Sequence, residues 1–346
     1  MLLRSWFLAL AASLLLAGGS LAEQPPGNFP SKAPVSGPDL SKLLRKATDG
    51  DSAAQFLLGR AYETGIGAPQ DYREAARWYL QAANRGRPEA QNNLGSLYVR
   101  GLGVPADYQR ASSWFLRAAV QHYPPAEFNL GLLYSQGMGV HQDDAEALRW
   151  YRDSAKRGYA VAQNNLGLIY SQGKGVPRDC GQAFQWFHKS AKQGLPAAEY
   201  NLGFMYESGC GTEANPRGAA KWYQKAAEQG IPEAENNLGY LYLQGKGVEA
   251  SNAQAAHWFA KAAEQDLHTA QANLGVMYLQ GNGVPRDTDT AYMWLVLAGN
   301  AGKRMLSRMH APLATLAVAH HLASRWQAQH RALSALPTDE AASILR

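Results

Sequence analysis

Apolar residues in this chain fall into two kinds of helical stripe that alternate, with glycine-rich breaks between them. In one stretch Ala90, Leu94, Leu97 and Tyr98 stand at i, i+4, i+7 and i+8, one face of an α-helix. Further on, Ala111, Trp114, Phe115, Ala118 and Ala119 stand at i, i+3, i+4, i+7 and i+8, the face of a second helix. The intervening Gly101-Leu-Gly-Val-Pro105 continues neither. Pro88 sits where the first helix begins, a position that tolerates a missing N–H. Gly86 sits just past the preceding helix, where a left-handed cap suits glycine. The unit is a helix–loop–helix hairpin.

The unit recurs. Gly-x-Gly pairs run from Gly65/Gly67 to Gly281/Gly283 in seven copies, 36 residues apart. Leu-Gly pairs from Leu58/Gly59 to Leu274/Gly275, tyrosines from Tyr62 to Tyr278 and tryptophans from Trp78 to Trp294 keep the same step. Alanine keeps it from Ala75 to Ala291. A period this regular denotes a solenoid, in which each unit buries its rings only against neighbours. The Gly95 column lies inside a helix, where glycine costs about 1 kcal/mol relative to alanine. A close helix–helix approach is the expected reason, with the Ala111 column as its counterpart and Trp114 and Phe115 filling the flanks.

The pattern A-x-x-N-L-G-x-x-Y, then G-x-G-V-P, then A-x-x-W-[FY]-x-x-A-A runs from about Ser52 to Gly302. It resembles the Sel-one-like repeat (SLR) family, relatives of the tetratricopeptide repeats. The resemblance implies an all-α fold: an α/α solenoid, a right-handed superhelix of seven 36-residue helix–loop–helix repeats with capping helices at both ends. It also implies protein–protein contacts and, in bacteria, an envelope or secreted location.

The ends divide the chain further. Residues 1–22 read as a signal peptide, with Arg4, an apolar run from Trp6 to Ala17, and small residues at Ser20 and Ala22. Cleavage near Ala22 and export to the periplasm or the medium follow. The apolar run is short of a membrane span, so no stable membrane insertion is expected once it is removed. Residues 23–38 carry five prolines and read as an extended linker. Residues 39–50 match the second helix of a unit and are expected to cap the array, ahead of repeats over 51–302. Residues 303–346 lose the columns; Leu313 to His330 reads as a helix with Leu316, Leu322 and Trp326 on its apolar face, ahead of a frayed tail.

Net charge is +5, scattered singly, which argues against nucleic acid as a partner. Cys180 opens a second helix and Cys210 lies in the next glycine loop. A disulfide suits an oxidising compartment, and two separate thiols are the alternative if the repeat spacing exceeds bridging distance. Ser171-Gln-Gly-Lys174 matches S-x-x-K but lacks S-D-N and K-T-G, so no catalytic residue is assigned. His310, His320, His321 and His330 lack i, i+4 spacing, so neither metal nor cofactor is expected.

Two columns remain. Asn93, Asn129, Asn165, Asn201, Asn237 and Asn273 precede Leu-Gly and are expected to bond backbone where helices pack. One residue earlier, Phe56, Asn92, Phe128, Asn164, Tyr200 and Asn236 alternate aromatic ring and amide. By resemblance to tetratricopeptide arrays this position faces the concave groove, continued by Gln136, Gln172 and Gln244. Rings and amides together suit an extended peptide, or else the rings only fill space between first helices. The expected function is a non-catalytic exported adaptor whose groove residues are Asn92, Phe128, Asn164, Tyr200, Asn236, Gln136, Gln172 and Gln244. The alternative is an enzyme or accessory factor of cell-wall or exopolysaccharide metabolism.

Overall fold

The computed structural model describes residues 40–334, with side chains through residue 330. The expected signal peptide over residues 1–22, the expected linker over 23–38 and the end of the C-terminal tail lie outside the described residues. Among those described, the chain forms 17 helices and no strand, an all-α solenoid. It divides into two compact units, Met1–Ser190 and Ala191–Arg346.

The first unit runs α1 Leu40–Thr48, α2 Ser52–Thr64, α3 Tyr72–Asn84, α4 Pro88–Arg100, α5 Tyr108–Ala119, α6 Pro124–Gln136, α7 Asp144–Lys156, α8 Ala160–Gln172 and α9 Cys180–Ala191. The second runs α10 Pro196–Ser208, α11 Pro216–Glu228, α12 Pro232–Gln244, α13 Asn252–Glu264, α14 His268–Gln280, α15 Thr288–Leu297, α16 Gly299–Arg308 and α17 Leu313–Ser334. From α2 to α15, even-numbered elements are the first helices of repeats and odd-numbered ones the second.

Local chemistry sets the boundaries. Second helices start on a side-chain cap: Asp71, Asp107, Asp143, Asn215, Ser251 and Asp287 each accept from N–H groups of the first turn. First helices begin instead at Pro88, Pro124, Pro196 and Pro232, which need no N–H partner there. They end on the first glycine of the loop. Gly101 has φ 66° and its N–H bonds the Leu97 carbonyl, a left-handed cap that residues with a Cβ adopt at a cost.

The helix glycines are seats for rings. A Cβ on Gly95 would stand 2.7 Å from Phe115 Cε1, and one on Gly131 2.7 Å from Tyr151 Cε1. The same holds at Gly203 with Tyr223 and at Gly239 with Phe259. The expected alanine counterpart is therefore corrected: the partner is the aromatic residue four after that alanine. The alanine contributes at one remove, since the Ala147 carbonyl would lie 3.2 Å from the added carbon. Tryptophans join repeats. Trp150 packs with Leu130 and Leu133 of its own repeat and with Ala111 and Phe115 of the preceding one, and Trp258 with Leu238 and Leu241 of its own and Tyr223 of the preceding one. Basic residues lie over the ring faces, Arg149 4.3 Å from the Trp150 centroid and Lys225 4.5 Å from that of Trp222.

Both ends use the same packing. In the first unit α1 buries Leu43 and Ala47 against Ala54, Leu58 and Trp78. In the second, α17 buries Ala319 and Ala323, and Trp326 stands 5.3 Å from Trp294. Leu316 and Leu322 are half-buried beside them.

A buried polar column lies between successive repeats. Gln55, Gln91, Gln163 and Gln271 donate their amides to the carbonyls of Ala47, Ala83, Ala155 and Ala263 at 3.0–3.2 Å. Glu127, Glu199 and Glu235 occupy the same column, and an ionised carboxylate has no proton to give. Arg157 meets Glu127 at 2.9 Å and Gln229 meets Glu199 at 2.6 Å. Glu127 Oε2 is buried with no hydrogen-bond partner, and Glu235 Oε1 is buried 3.5 Å from Lys261 Nζ. Burial raises all three carboxyls above the usual range, against the neighbouring Arg157, Lys225 and Lys261.

Two outcomes follow from this packing. Gly131→Ala should lower stability by about 1–3 kcal/mol by driving a methyl into Tyr151 and the Ala147 carbonyl, read in denaturant melts. The raised carboxyls mean that the folded chain holds protons more tightly than the unfolded one. Their contribution is full below the ordinary glutamate pKa, about 4.3, and is lost as pH rises through the raised value. A Glu199→Gln, Glu235→Gln variant should therefore melt progressively higher than the parent as pH goes from 4 to 7. A gap independent of pH would refute the assignment.

Candidate binding surface

The ring-and-amide alternation along the first helices is explained by packing. In the first, third and fifth repeats the second helix presents a tyrosine to the helix glycine: Tyr79, Tyr151 and Tyr223. Each tyrosine takes the preceding ring as its neighbour, with centroids 5.9 Å apart for Phe56–Tyr79, 5.5 Å for Phe128–Tyr151 and 5.8 Å for Tyr200–Tyr223. Each hydroxyl then meets a polar partner on its own first helix. Tyr79 donates to Glu63 at 2.5 Å, Tyr223 donates to Glu207 at 2.7 Å, and the Tyr151 and Ser135 hydroxyls form a hydrogen bond at 3.2 Å. The amide of the next repeat completes the group: Asn93 donates to Tyr79 at 3.1 Å, and Asn165 and Asn237 do so to Tyr151 and Tyr223.

In the second and sixth repeats phenylalanine replaces tyrosine, and no hydroxyl is offered. Asparagine takes the place of the ring. Asn129 Nδ2 donates to Asn92 Oδ1 at 2.9 Å, and Asn273 Nδ2 to Asn236 Oδ1 at 3.0 Å. Asn92 and Asn236 also turn their own amides to Asn93 and Asn237, at 3.3 and 3.4 Å. The asparagines before Leu-Gly thus bond side chains of the preceding repeat, where backbone was expected. Burial pushes the Tyr151 phenol up to about 12, so it is a neutral hydroxyl at physiological pH.

This geometry corrects part of the expected groove. Phe128 is 1% exposed, wedged against Tyr151 and Tyr159, and has no face to offer a ligand. Asn92 and Asn236 are buried and already bonded within the solenoid. Tyr200 is half-buried with its ring on Tyr223, and Asn164 is half-buried. Gln136, Gln172 and Gln244 are exposed at the ends of α6, α8 and α12. Beside them, Leu168 in the first unit and Phe204 and Tyr240 in the second keep part of their surface open. The open first-helix face is therefore the part of the expected one that lies one to two turns beyond the buried column in each helix.

The remaining candidates lie outside this face. Cys180 opens α9 in the first unit, and Cys210 lies in the loop after α10 in the second. Ser171 gives its hydroxyl proton to the Leu168 carbonyl at 2.9 Å. His320 and His321 are exposed on α17, and His330 stacks on Trp326 with centroids 4.6 Å apart. Among the described residues no three His, Cys, Asp or Glu side chains gather where a metal ion would fit, and no helix is long and apolar enough to cross a membrane.

The asparagine bonds carry a measurable consequence. Asn92→Ala strips the acceptor from the buried Asn129 amide and should cost about 1–3 kcal/mol of stability in denaturant melts. Unchanged stability would show that the amide serves no structural purpose.

Sequence and fold comparisons agree with this architecture. A family model described as Sel1 repeat matches seven times, at residues 52–86, 88–121, 124–159, 160–195, 196–231, 232–267 and 268–303. A Sel1 repeat protein from Oxalobacter formigenes is 30% identical, with TM-score 0.62, over 71% of this chain and 97% of its own. A protective antigen present in uropathogenic Escherichia coli strains, displaying an SLR fold, is 31% identical, with TM-score 0.52, over 83% of this chain and 71% of its own. No curated protein sequence matches. With its seven matched repeats, the chain belongs to the Sel1 repeat family.

Proposed function

We propose that this protein is a non-catalytic adaptor, exported from a bacterial cytoplasm, that holds a protein or peptide on the open first-helix faces of its units, each taken by itself. The observation that carries the reading is a division of labour among amides. The asparagines are spent on joining repeats. Among the described residues Gln136, Gln172 and Gln244 are exposed and have no hydrogen-bond partner of their own. They stand beside part-open Leu168, Phe204 and Tyr240. Free amides bond an extended backbone and part-open apolar groups pack its side chains, which is how a solenoid face holds a peptide. Tyr200 and Asn164 belong to the margin of this face.

Export rests on the leader over residues 1–22. The reading includes a Cys180–Cys210 disulfide, which an oxidising compartment sustains. Neither the scattered charge nor the first-helix face suits nucleic acid, and binding is expected to depend weakly on salt.

The test uses the full chain from its exported fraction. Intact mass reads cleavage after Ala22 and the loss of two hydrogens to a disulfide. Partners crosslinked to that protein are then titrated against a Gln136→Ala, Gln172→Ala, Gln244→Ala variant and a Gln185→Ala, Lys221→Ala control on second helices. The glutamine variant should bind about tenfold or more weakly, with the control unchanged. Loss in the control alone would overturn the surface assignment, and an uncleaved chain held in the cytoplasm would overturn export.

A further inference from the structure

The glycine loops do not all close in the same way. The second loop glycine normally lies against the first turn of the preceding second helix. A Cβ on Gly103 would be 2.1 Å from the Tyr72 carbonyl oxygen, and one on Gly139 2.3 Å from that of Tyr108. In the second unit, Gly247 and Gly283 meet the Pro216 and Asn252 carbonyls at 2.2 and 2.1 Å. At Gly175 the same test meets nothing within 4 Å. This loop stands away from Asp144, the residue equivalent to Tyr72 and Tyr108.

The cause lies one turn along α7. Where the loop closes, the preceding second helix carries Ala76, Ser112, Ala220 or Ala256 at the corresponding position. Where it stands open, that position is Leu148, half-buried. The larger side chain lines the space between this loop and α7. A cleft of about 120 Å³ results, lined by Leu148, Leu168 and Ile169 as apolar walls. Tyr151, Ser135 and Asn165 also line it, already bonded to one another and so with little polar demand left. The exposed Gln172, Lys174 and Asp144 complete the lining.

We propose that this cleft in the first unit is a side-chain pocket that takes one leucine-sized aliphatic residue of an extended peptide. The proposal rests on the peptide-binding reading above and names what the peptide must carry. The cavity is the size of about four waters, which matches the four carbons of leucine or isoleucine. Apolar walls and an internally satisfied hydroxyl–amide group disfavour a charged tip, which would lose its hydration without gaining a partner. The exposed Gln172 amide and the Lys174 and Asp144 charges are placed for the peptide's main chain. A free amino acid offers the same side chain with a charged amine and carboxylate, so capped and free forms distinguish the two sources.

The test is an NMR titration of the full chain with N-acetyl-leucine N-methylamide, N-acetyl-glycine N-methylamide and free leucine. The capped leucine should shift the amides of Leu168, Lys174 and Gly175 saturably, and the glycine analogue should bind about tenfold or more weakly. Leu148→Ala restores the alanine used by other repeats and should close the loop and abolish the shifts. Leu168→Phe fills the cleft from α8 with the residue that Phe204 places in the same column, and should also abolish them. Shifts that persist in both variants, absence of shifts, or binding of free leucine in preference to the capped form would overturn the proposal. Loss of crosslinked partner in the glutamine variant but not in Leu148→Ala would refute the pocket while leaving the adaptor reading in place.

Discussion

The structure depends on a ring lying on a glycine. A helix pair in which one member lacks a Cβ can bring an aromatic face onto backbone, and at Gly131 the added carbon would stand 2.7 Å from Tyr151. Helix propensity opposes glycine there by about 1 kcal/mol per residue. The contact more than offsets this, because it buries a large ring and fixes the distance between the two helices. With that distance fixed, the tryptophan of a second helix reaches the repeat before it, as Trp150 does with Ala111 and Phe115. Stacking within each unit is then a matter of repeating one geometry.

The same contact decides where polar groups go. A tyrosine on the glycine brings a hydroxyl deep into the junction, and a buried hydroxyl without a partner costs free energy. Glu63, Ser135 and Glu207 supply acceptors on the first helix, and Asn93, Asn165 and Asn237 reach across from the next repeat. A phenylalanine needs none of this, and at those junctions a pair of asparagines bridges instead. Two kinds of junction thus alternate along the array. The choice between tyrosine and phenylalanine at one position propagates to three others.

The period, the two helices per unit and their faces were legible in the sequence because a solenoid writes its contacts as columns. The role of the alternating column was not. Along the chain alone, the alternation of ring and amide at Phe128 and Asn92 suits a peptide ligand as well as it suits packing. The explanation needed a pairing between columns 23 residues apart, Phe128 with Tyr151, which only the folded hairpin brings together. A signal was present: Tyr79, Tyr151 and Tyr223 alternate with Phe115, Phe187 and Phe259 in the same phase. Co-variation of two columns within one chain reports contact, and neither column reports it alone. The aspartate caps before the second helices were equally visible and equally unread.

Function in such an array resides in departures from the repeat. A column that obeys the period serves packing, since every junction makes the same demand on it. Leu148 stands where Ala76, Ser112, Ala220 and Ala256 stand in the repeats whose loops close, and the column is also large at Phe184 and Tyr292; beside Leu148 the loop is open over a partly apolar cleft. The exposed glutamines make a different case: they keep the period at Gln136, Gln172 and Gln244 without an internal partner to account for it. A regular column satisfied inside the fold is explained by the fold. Exposed amides left unsatisfied at the surface, next to an irregular residue that opens space, suit a ligand that offers backbone groups and side chains together, and an extended peptide does so.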